Sequence, residues 1–408
     1  MPSVQHISPK KGSVLVLVGT VKGAFVLCSD GARKRWKAGG PYSIGSPVYA
    51  MAYDGRQGRH RLWWAQQSFR WGTTLVSSDD FGRTATEPET YSVKFPAESG
   101  LTLKNIWQLH LPAREPDTIY CGVEPSALFV SRDAGKSWSP VQGLLNHPHR
   151  AKWTPGGGGM CLHTIAPHPT DPKRMTIAMS TGGVYRTNDG GATWQARNQG
   201  IRAEFLPEKY PEFGQCVHKI VRHPANPDRL YLQNHWGLYR SDDDGDTWHD
   251  IARGVPSDFG FTMVGHPHDP ETAYIVPIES DEYRCTPEGK LRVYRTRNGG
   301  KSWEAMTRGL PQKDALETVL RDSMAADSLD PAGIYFGTRS GKLYGSHDDG
   351  RCWQLIQDGL PAIVCVKATV VGDEAAHSAR KRGGAARTKR AGSRARTPAK
   401  KSARARTR

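Results

Sequence analysis

Residues 241–248 read SDDDGDTW, three consecutive acids followed by a glycine, an acid, a threonine and a tryptophan. Such a run is either a carboxylate cluster for metal or acid–base chemistry, or a turn whose acids bind their own backbone. A chemical cluster should occur once, whereas a turn recurs with the unit that contains it. The spacing Ser/Thr-x-Asp-x-Gly-x-Thr/Ser-Trp returns as SRDAGKSW from Ser131, TNDGGATW from Thr187, TRNGGKSW from Thr296 and SHDDGRCW from Ser346. It also returns as SDDFGRTA from Ser78, with Ala85 in the Trp place. From Ser78 onward the starts step by 53, 56, 54, 55 and 50 residues, and a degenerate copy, SDGARKRW, begins at Ser29.

Each box follows a short apolar or alternating run, such as ALFV before Ser131, GVYR before Thr187 and GLYR before Ser241, and its Trp opens another run. The box is therefore the turn of a β-hairpin. Asp accepts backbone N–H bonds of its own turn, Gly supplies the positive φ, and the Ser/Thr hydroxyl closes a second local bond. The Trp offers a large apolar area to a neighbouring sheet, its N–H left to find an acceptor. Asn298 in the Thr296 copy keeps the turn without the charge. The opening stretch is architecture.

Between boxes the chain reads strand A, a His-Pro or Asp-Pro turn, strand B, a loop, strand C, box and strand D. CLHTIAPHP, RMTIAMST, GVYR and TWQARNQGI from Cys161 give one complete unit, and CVHKIVRHP from Cys216 opens the next. The first unit lacks a strand A before SVLVLVGT, and the last has a strand too many in QLIQDGLPAIVCVKATVV. Residues 362–371 are thus expected to supply strand A of the first unit and close a ring. The fold class is all-β: one seven-bladed β-propeller over residues 1–372, closed by a C-terminal strand, with a basic tail at 373–408.

The boxes resemble those of the Asp-box, or BNR, repeat family, which includes bacterial sialidases, sortilin-type receptors, xyloglucan-cleaving glycoside hydrolases and photosystem II assembly factors. The resemblance covers residues 13 to about 371 and is strongest to bacterial proteins described as glycosyl-hydrolase-like or exo-alpha-sialidase-like. It implies boxes on the face opposite the binding site. The Arg-Ile-Pro motif of sialidases is absent, YSIGSP from Tyr42 being the nearest segment, and seven units exceed the six of sialidases.

VLVLV, from Val14, is too short for a signal or a membrane span. Seven cysteines, odd in number and scattered among strands, point to a reduced cytoplasmic protein rather than a disulfide framework. Of the formal net charge of +16, the tail from Asp373 carries 13 Lys/Arg against 2 acids, or +11, which leaves +5 for the propeller. The tail has no large apolar residue, so it is expected to be disordered and able to bind nucleic acid without sequence preference, or else to act only in solubility or targeting. No membrane partner and no cofactor is indicated.

In a propeller the D-to-A and B-to-C connections share the face opposite the boxes. Two are long: residues 139–160, with His147, His149, Arg150, Lys152 and Trp153, and residues 195–215, with Arg202, Glu204, Glu208, Tyr210 and Glu212. Directly after them stand Cys161 and His163, then Cys216 and His218, at matching places on two innermost strands, with Asn234 and His235 ending strand B beside them. A Cys-x-His pair puts both side chains on one strand face, so two such strands could supply four metal ligands. The expected reading is nevertheless packing beneath the loops, each His bonded to a neighbouring strand, with no metal bound. Lys104, Trp107 and Glu124 complete the expected ligand-binding set. Glycoside hydrolysis would need a carboxylate pair roughly 5 to 9.5 Å apart, for which Glu124, Glu208 and Glu279 are the candidates. The expected role is a binding or assembly platform for a protein or glycan, with glycoside hydrolase as the alternative.

Overall fold

The computed structural model describes residues 3–87 and 90–373. Its strands form seven antiparallel sheets, six of four strands and one of three. The innermost strands are Ile363–Val370, Val48–Asp54, Asn105–His110, Leu162–Pro167, Val217–Arg222, Gly260–Gly265 and Met324–Ala326. Each contacts the next around the ring, and Met324–Ala326 contacts Ile363–Val370. These are blades one to seven of a propeller.

Closure follows the expected scheme. Ile363–Val370 pairs antiparallel with Val14–Thr20, which pairs with Gly23–Ser29 and then Lys37–Tyr42. The first blade is built from both chain ends. The second blade is the three-stranded one, and among the described residues an isolated bridge between Leu75 and Tyr91 is what stands where strand D would lie. Its box carries Ala85 instead of Trp, so no ring is present to dock a fourth strand against the neighbouring sheet.

Six boxes share the same bonds to backbone N–H, and all but the last, where Cys352 has no hydroxyl, add a side-chain bond between the Asp or Asn and the following Ser or Thr. In the fifth blade Ser241 Oγ accepts from Gly245 N at 2.8 Å and donates to Asp243 Oδ1 at 2.7 Å, while Thr247 donates to Asp243 through its N and Oγ1 at 2.9 and 2.6 Å. Asn298 keeps the pattern, with Nδ2 now donating to Ser302 Oγ at 2.8 Å. Gly135 shows why glycine is needed: its φ is +94°, and a Cβ there would lie 2.6 Å from the Trp63 ring of the preceding blade. Two box tryptophans find acceptors on the preceding blade, Trp248 on Arg197 O at 2.9 Å and Trp303 on Ile251 O at 2.8 Å. Trp138 and Trp194 bond their own box glycine carbonyls.

A second regularity was not anticipated. Near the start of the innermost strand, the register against strand B slips at Val48/Ala50, Ile106/Gln108, Leu162/Thr164, Val217/Lys219 and Gly260/Met263. The extra residue is Tyr49, Trp107, His163 or His218 in four of these blades, and Phe261 sits at the slip in the sixth. Such bulges re-aim a side chain out of the strict alternation of a strand. The described helices are all short, and none is long and apolar enough to cross a membrane. The basic-tail reading lies outside the described residues.

Candidate functional site

The slipped residues lean tangentially onto the next blade. Tyr49 packs on Trp107 with ring centroids 4.9 Å apart, and His218 packs on Phe261 at 4.7 Å. His163 Nε2 donates to Val217 O at 2.9 Å, and His218 Nδ1 donates to Gly260 O at 2.6 Å. In both cases the acceptor is the carbonyl immediately before the next blade's slipped residue. Burial, followed by the nearby Arg321 charge, holds both imidazoles well below their ordinary pKa, so both are neutral at physiological pH.

This geometry divides the expected Cys/His quartet. His163 is fully buried, and its Nδ1 accepts from Thr164 Oγ1 at 3.0 Å, so both ring nitrogens are engaged. Cys161 Sγ accepts from Arg321 Nη1 at 3.2 Å, and burial raises its thiol to about 11. These two residues serve packing, because Arg321 takes the Cys161 sulfur and both His163 nitrogens are already engaged. Cys216, His218 and His235 come together instead, with a candidate ligand atom of each within 4.8 Å of the others. His235 Nε2 donates to Asp281 Oδ2 at 3.2 Å.

The remaining predicted residues separate similarly. Trp107 Nε1 donates to Glu124 Oε2 at 3.0 Å, and the Arg321 guanidinium lies 5.5 Å from the Trp107 ring centre. Lys104 is exposed, while its carbonyl accepts from Gln67 Nε2 and Thr73 Oγ1. Asn234 is fully buried and donates to Arg202 O at 2.8 Å, fastening the 195–215 loop rather than lining a surface. Glu208 and Glu279 are exposed on connections flanking different blades, and Glu124, half-buried, belongs to a third. His149 and Trp153 both bond Tyr185 Oη at 3.0 Å, so the 139–160 loop is packed down on the fourth blade.

Two adjacent residues before the last blade had no sequence signal. Arg321 reaches Cys161 and Trp107, spanning the loop face from the seventh blade to the fourth and third. Asp322 Oδ1 accepts from Lys219 at 2.5 Å, Lys367 at 3.2 Å and Gln108 at 3.2 Å, which belong to blades five, one and three. Desolvation opposes ionisation, but the two ammonium groups outweigh it and keep this carboxylate well below its usual range. Neither residue belongs to a repeated motif, so only the closed ring reveals them.

The two faces differ in chemistry. The box face carries ion pairs across the seams, such as Asp244 of the fifth blade with Arg174 and Arg186 of the fourth at 3.3 and 3.6 Å, and within blades, such as Asp54 with Arg56 at 2.8 Å. The loop face carries exposed large apolar side chains: Ile44, Phe69 and Trp71, then Phe205 and Tyr210, and finally Tyr283 and Leu316. All seven lie on D-to-A or B-to-C connections, and only Val4 and Leu355 are comparable elsewhere among the described residues. Two small cavities, one around Tyr120 and Trp194 and the other around His223 and His266, lie between blades away from this face.

No family model matches the sequence. A xyloglucanase from a Paenibacillus species is 23% identical over 253 residues, covering 55% of this chain and 23% of that protein. The match therefore spans about a quarter of the relative's length. Among solved structures, an ancestral GH74 enzyme superposes with a TM-score of 0.52 at 16% identity, over 76% of this chain and 38% of that one. YCF48 bound to a D1 peptide superposes with a TM-score of 0.49 at 14% identity, over 86% of each chain. At these identities the likeness is one of fold.

Proposed function

We propose that the protein is a binding or assembly platform whose ligand, a protein segment or a glycan chain, lies across the loop face. The observation that carries this reading is the one-sided placement of exposed aromatic and aliphatic side chains. Water-exposed apolar surface concentrated on one face marks a site of association, and both glycans and peptides stack on aromatic rings. Glycoside hydrolysis is the second reading, favoured by the similarity to a xyloglucanase. Against it, Glu124 is bonded to Trp107 and the other two candidate acids stand exposed on connections of other blades.

The test combines binding and turnover. A Trp71→Ala/Phe205→Ala/Tyr283→Ala variant should keep the parent's melting temperature and lose at least tenfold in affinity, measured by calorimetry against xyloglucan oligosaccharides and by capture of protein partners. Turnover of those oligosaccharides by the parent, abolished by Glu124→Gln, would replace this reading with the hydrolase. We further propose a cytoplasmic location, supported by seven free thiols, and non-specific polyanion binding by residues 373–408, supported by their +11 charge.

A further inference from the structure

Cys216 and His218 stand at the start of the fifth blade's innermost strand, and His235 follows the end of strand B beside them. Cys216 Sγ and His218 Nε2 are 3.6 Å apart. With zinc bonds of about 2.3 Å to sulfur and about 2.0 Å to nitrogen, the S-to-N edge of a tetrahedral site is about 3.5 Å. The first two donors already stand at that spacing. One donor atom of each residue lies within 4.8 Å of the others, so closing the remaining edges to about 3.3 to 3.5 Å takes at most about 1.5 Å.

The second nitrogens of the two rings make the stronger case. His218 Nδ1 faces Gly260 O at 2.6 Å and His235 Nε2 faces Asp281 Oδ2 at 3.2 Å. A carbonyl and a carboxylate only accept, so each ring carries its proton on that nitrogen and its lone pair on the other. A backbone carbonyl on one imidazole and a carboxylate on the next is the outer arrangement that orients metal-binding histidines. Packing adds rigidity: His218 contacts Phe261 at 4.7 Å, and His235 contacts Trp236 and Phe259 at 4.3 and 4.9 Å. Dense packing alone would not call for two imidazoles with fixed tautomers beside one sulfur, one of them with its free nitrogen 3.6 Å from it.

We propose that Cys216, His218 and His235 bind a transition metal ion of the zinc class. A thiolate with two imidazoles selects such an ion over magnesium or calcium, which prefer oxygen donors. Three protein ligands leave the fourth tetrahedral position to water or to a ligand, the donor count of a reactive rather than a purely structural zinc site. Cys216 and His235 are half-buried on the loop face, so that position is reached from the surface proposed to bind ligands. Arg284, with its guanidinium 5.4 Å from the Phe261 ring centre, favours an anionic donor there. The metal inference holds whichever ligand the loop face takes.

The test uses tag-free full-length protein, stripped with a chelator, dialysed, and titrated separately with zinc and cobalt(II). One equivalent of zinc should bind, and cobalt(II) should give thiolate-to-metal charge-transfer absorption. Cys216→Ser should remove that band and weaken zinc at least a hundredfold, and His235→Ala at least tenfold, while Cys161→Ser leaves both unchanged. Less than half an equivalent of zinc, a cobalt spectrum without thiolate character, or undiminished affinity in Cys216→Ser would overturn the proposal. Should Cys216→Ser fail to fold, the half-exposed His235 still decides the matter, since unchanged zinc affinity in a folded His235→Ala protein also overturns it.

Discussion

Arg33 of the first blade donates through one nitrogen to both carboxylate oxygens of Asp327 of the seventh, at 3.1 and 3.2 Å, across 294 residues of chain. The same nitrogen also reaches Pro331 O at 2.9 Å, and Tyr335 Oη donates to Asp327 at 2.7 Å. Arg33 stands at a φ of +58° in the glycine place of the degenerate box and directs a buried charge across the seam. Removing one member strands the other in low dielectric. Asp327→Ala should lower unfolding free energy by about 3 to 5 kcal/mol in denaturant titration. An Arg33→Met/Asp327→Leu double variant should recover part of the loss, and additive losses would refute the pairing.

The second prediction concerns the closing strand. Ile363–Val370 covers Val14–Thr20 along its whole length, and Val366 and Val370 lie in the apolar cluster with Tyr335 and Leu343 of the seventh blade. A chain ending at Gly359 should expose two sheet edges and aggregate or melt far below the parent. A chain ending at Asp373 should melt like the parent. Equal melting of the two shortened chains would remove the strand's role in closure.

A third concerns the box. The buried turn N–H of Gly245 is held by Ser241, which is itself fully buried, whereas Asp243 holds an exposed N–H of Thr247. Ser241→Ala should therefore cost about 1 to 3 kcal/mol and Asp243→Ala only about 0.5 to 1.5 kcal/mol. The reverse order in urea titrations would contradict this division between hydroxyl and carboxylate.

Acid sensitivity follows from the same turns. Hydrogen bonds from Ser137 and Thr193 hold Asp133 and Asp189 at about 2, against an ordinary value of 3.8, and Asp80 is likewise at about 2 despite an opposing desolvation. The folded state binds fewer protons than the unfolded chain between pH 4 and 2, so stability is present above that window and falls as the pH drops through it. The urea midpoint should decline between pH 4 and 2. An Asp133→Asn/Asp189→Asn variant, keeping the turn as Asn298 does, should decline less over that interval.

The last prediction belongs to residues 373–408. Thirteen cations with 2 acids and no apolar anchor recognise charge rather than sequence. Duplex binding that engages about six phosphates should show a log–log salt slope near −5, and deletion of 374–408 should abolish it. Strong sequence discrimination, or binding that survives the deletion, would move recognition onto the propeller.

The boxes, the blade order and the closing strand were legible because each repeats a local pattern, and Ser241, Asp243 and Gly245 act within five residues of one another. The site was legible only in part. Cys216, His218 and His235 were identified as neighbours, but Cys161 and His163 match Cys216 and His218 in sequence and differ in surroundings. Arg321 takes the first sulfur, and Thr164 and Val217 take both nitrogens of the first ring. Arg321 and Asp322 act across the ring on blades far away in the chain, so nothing near them in sequence announces their partners.

Repeat architectures ordinarily couple each unit only to its neighbours, so that a disturbance decays from one unit to the next. The Asp322 carboxylate removes that simplicity, because Gln108, Lys219 and Lys367 reach it from three separate blades. It is a hub joined by spokes, and the blades become a network rather than a circular chain. Opening one seam must strain contacts on the far side of the ring, which favours all-or-none unfolding over piecemeal fraying. Amide hydrogens of the innermost strands in blades one, three and five should then exchange through a common opening event, with similar free energies despite their distance in sequence.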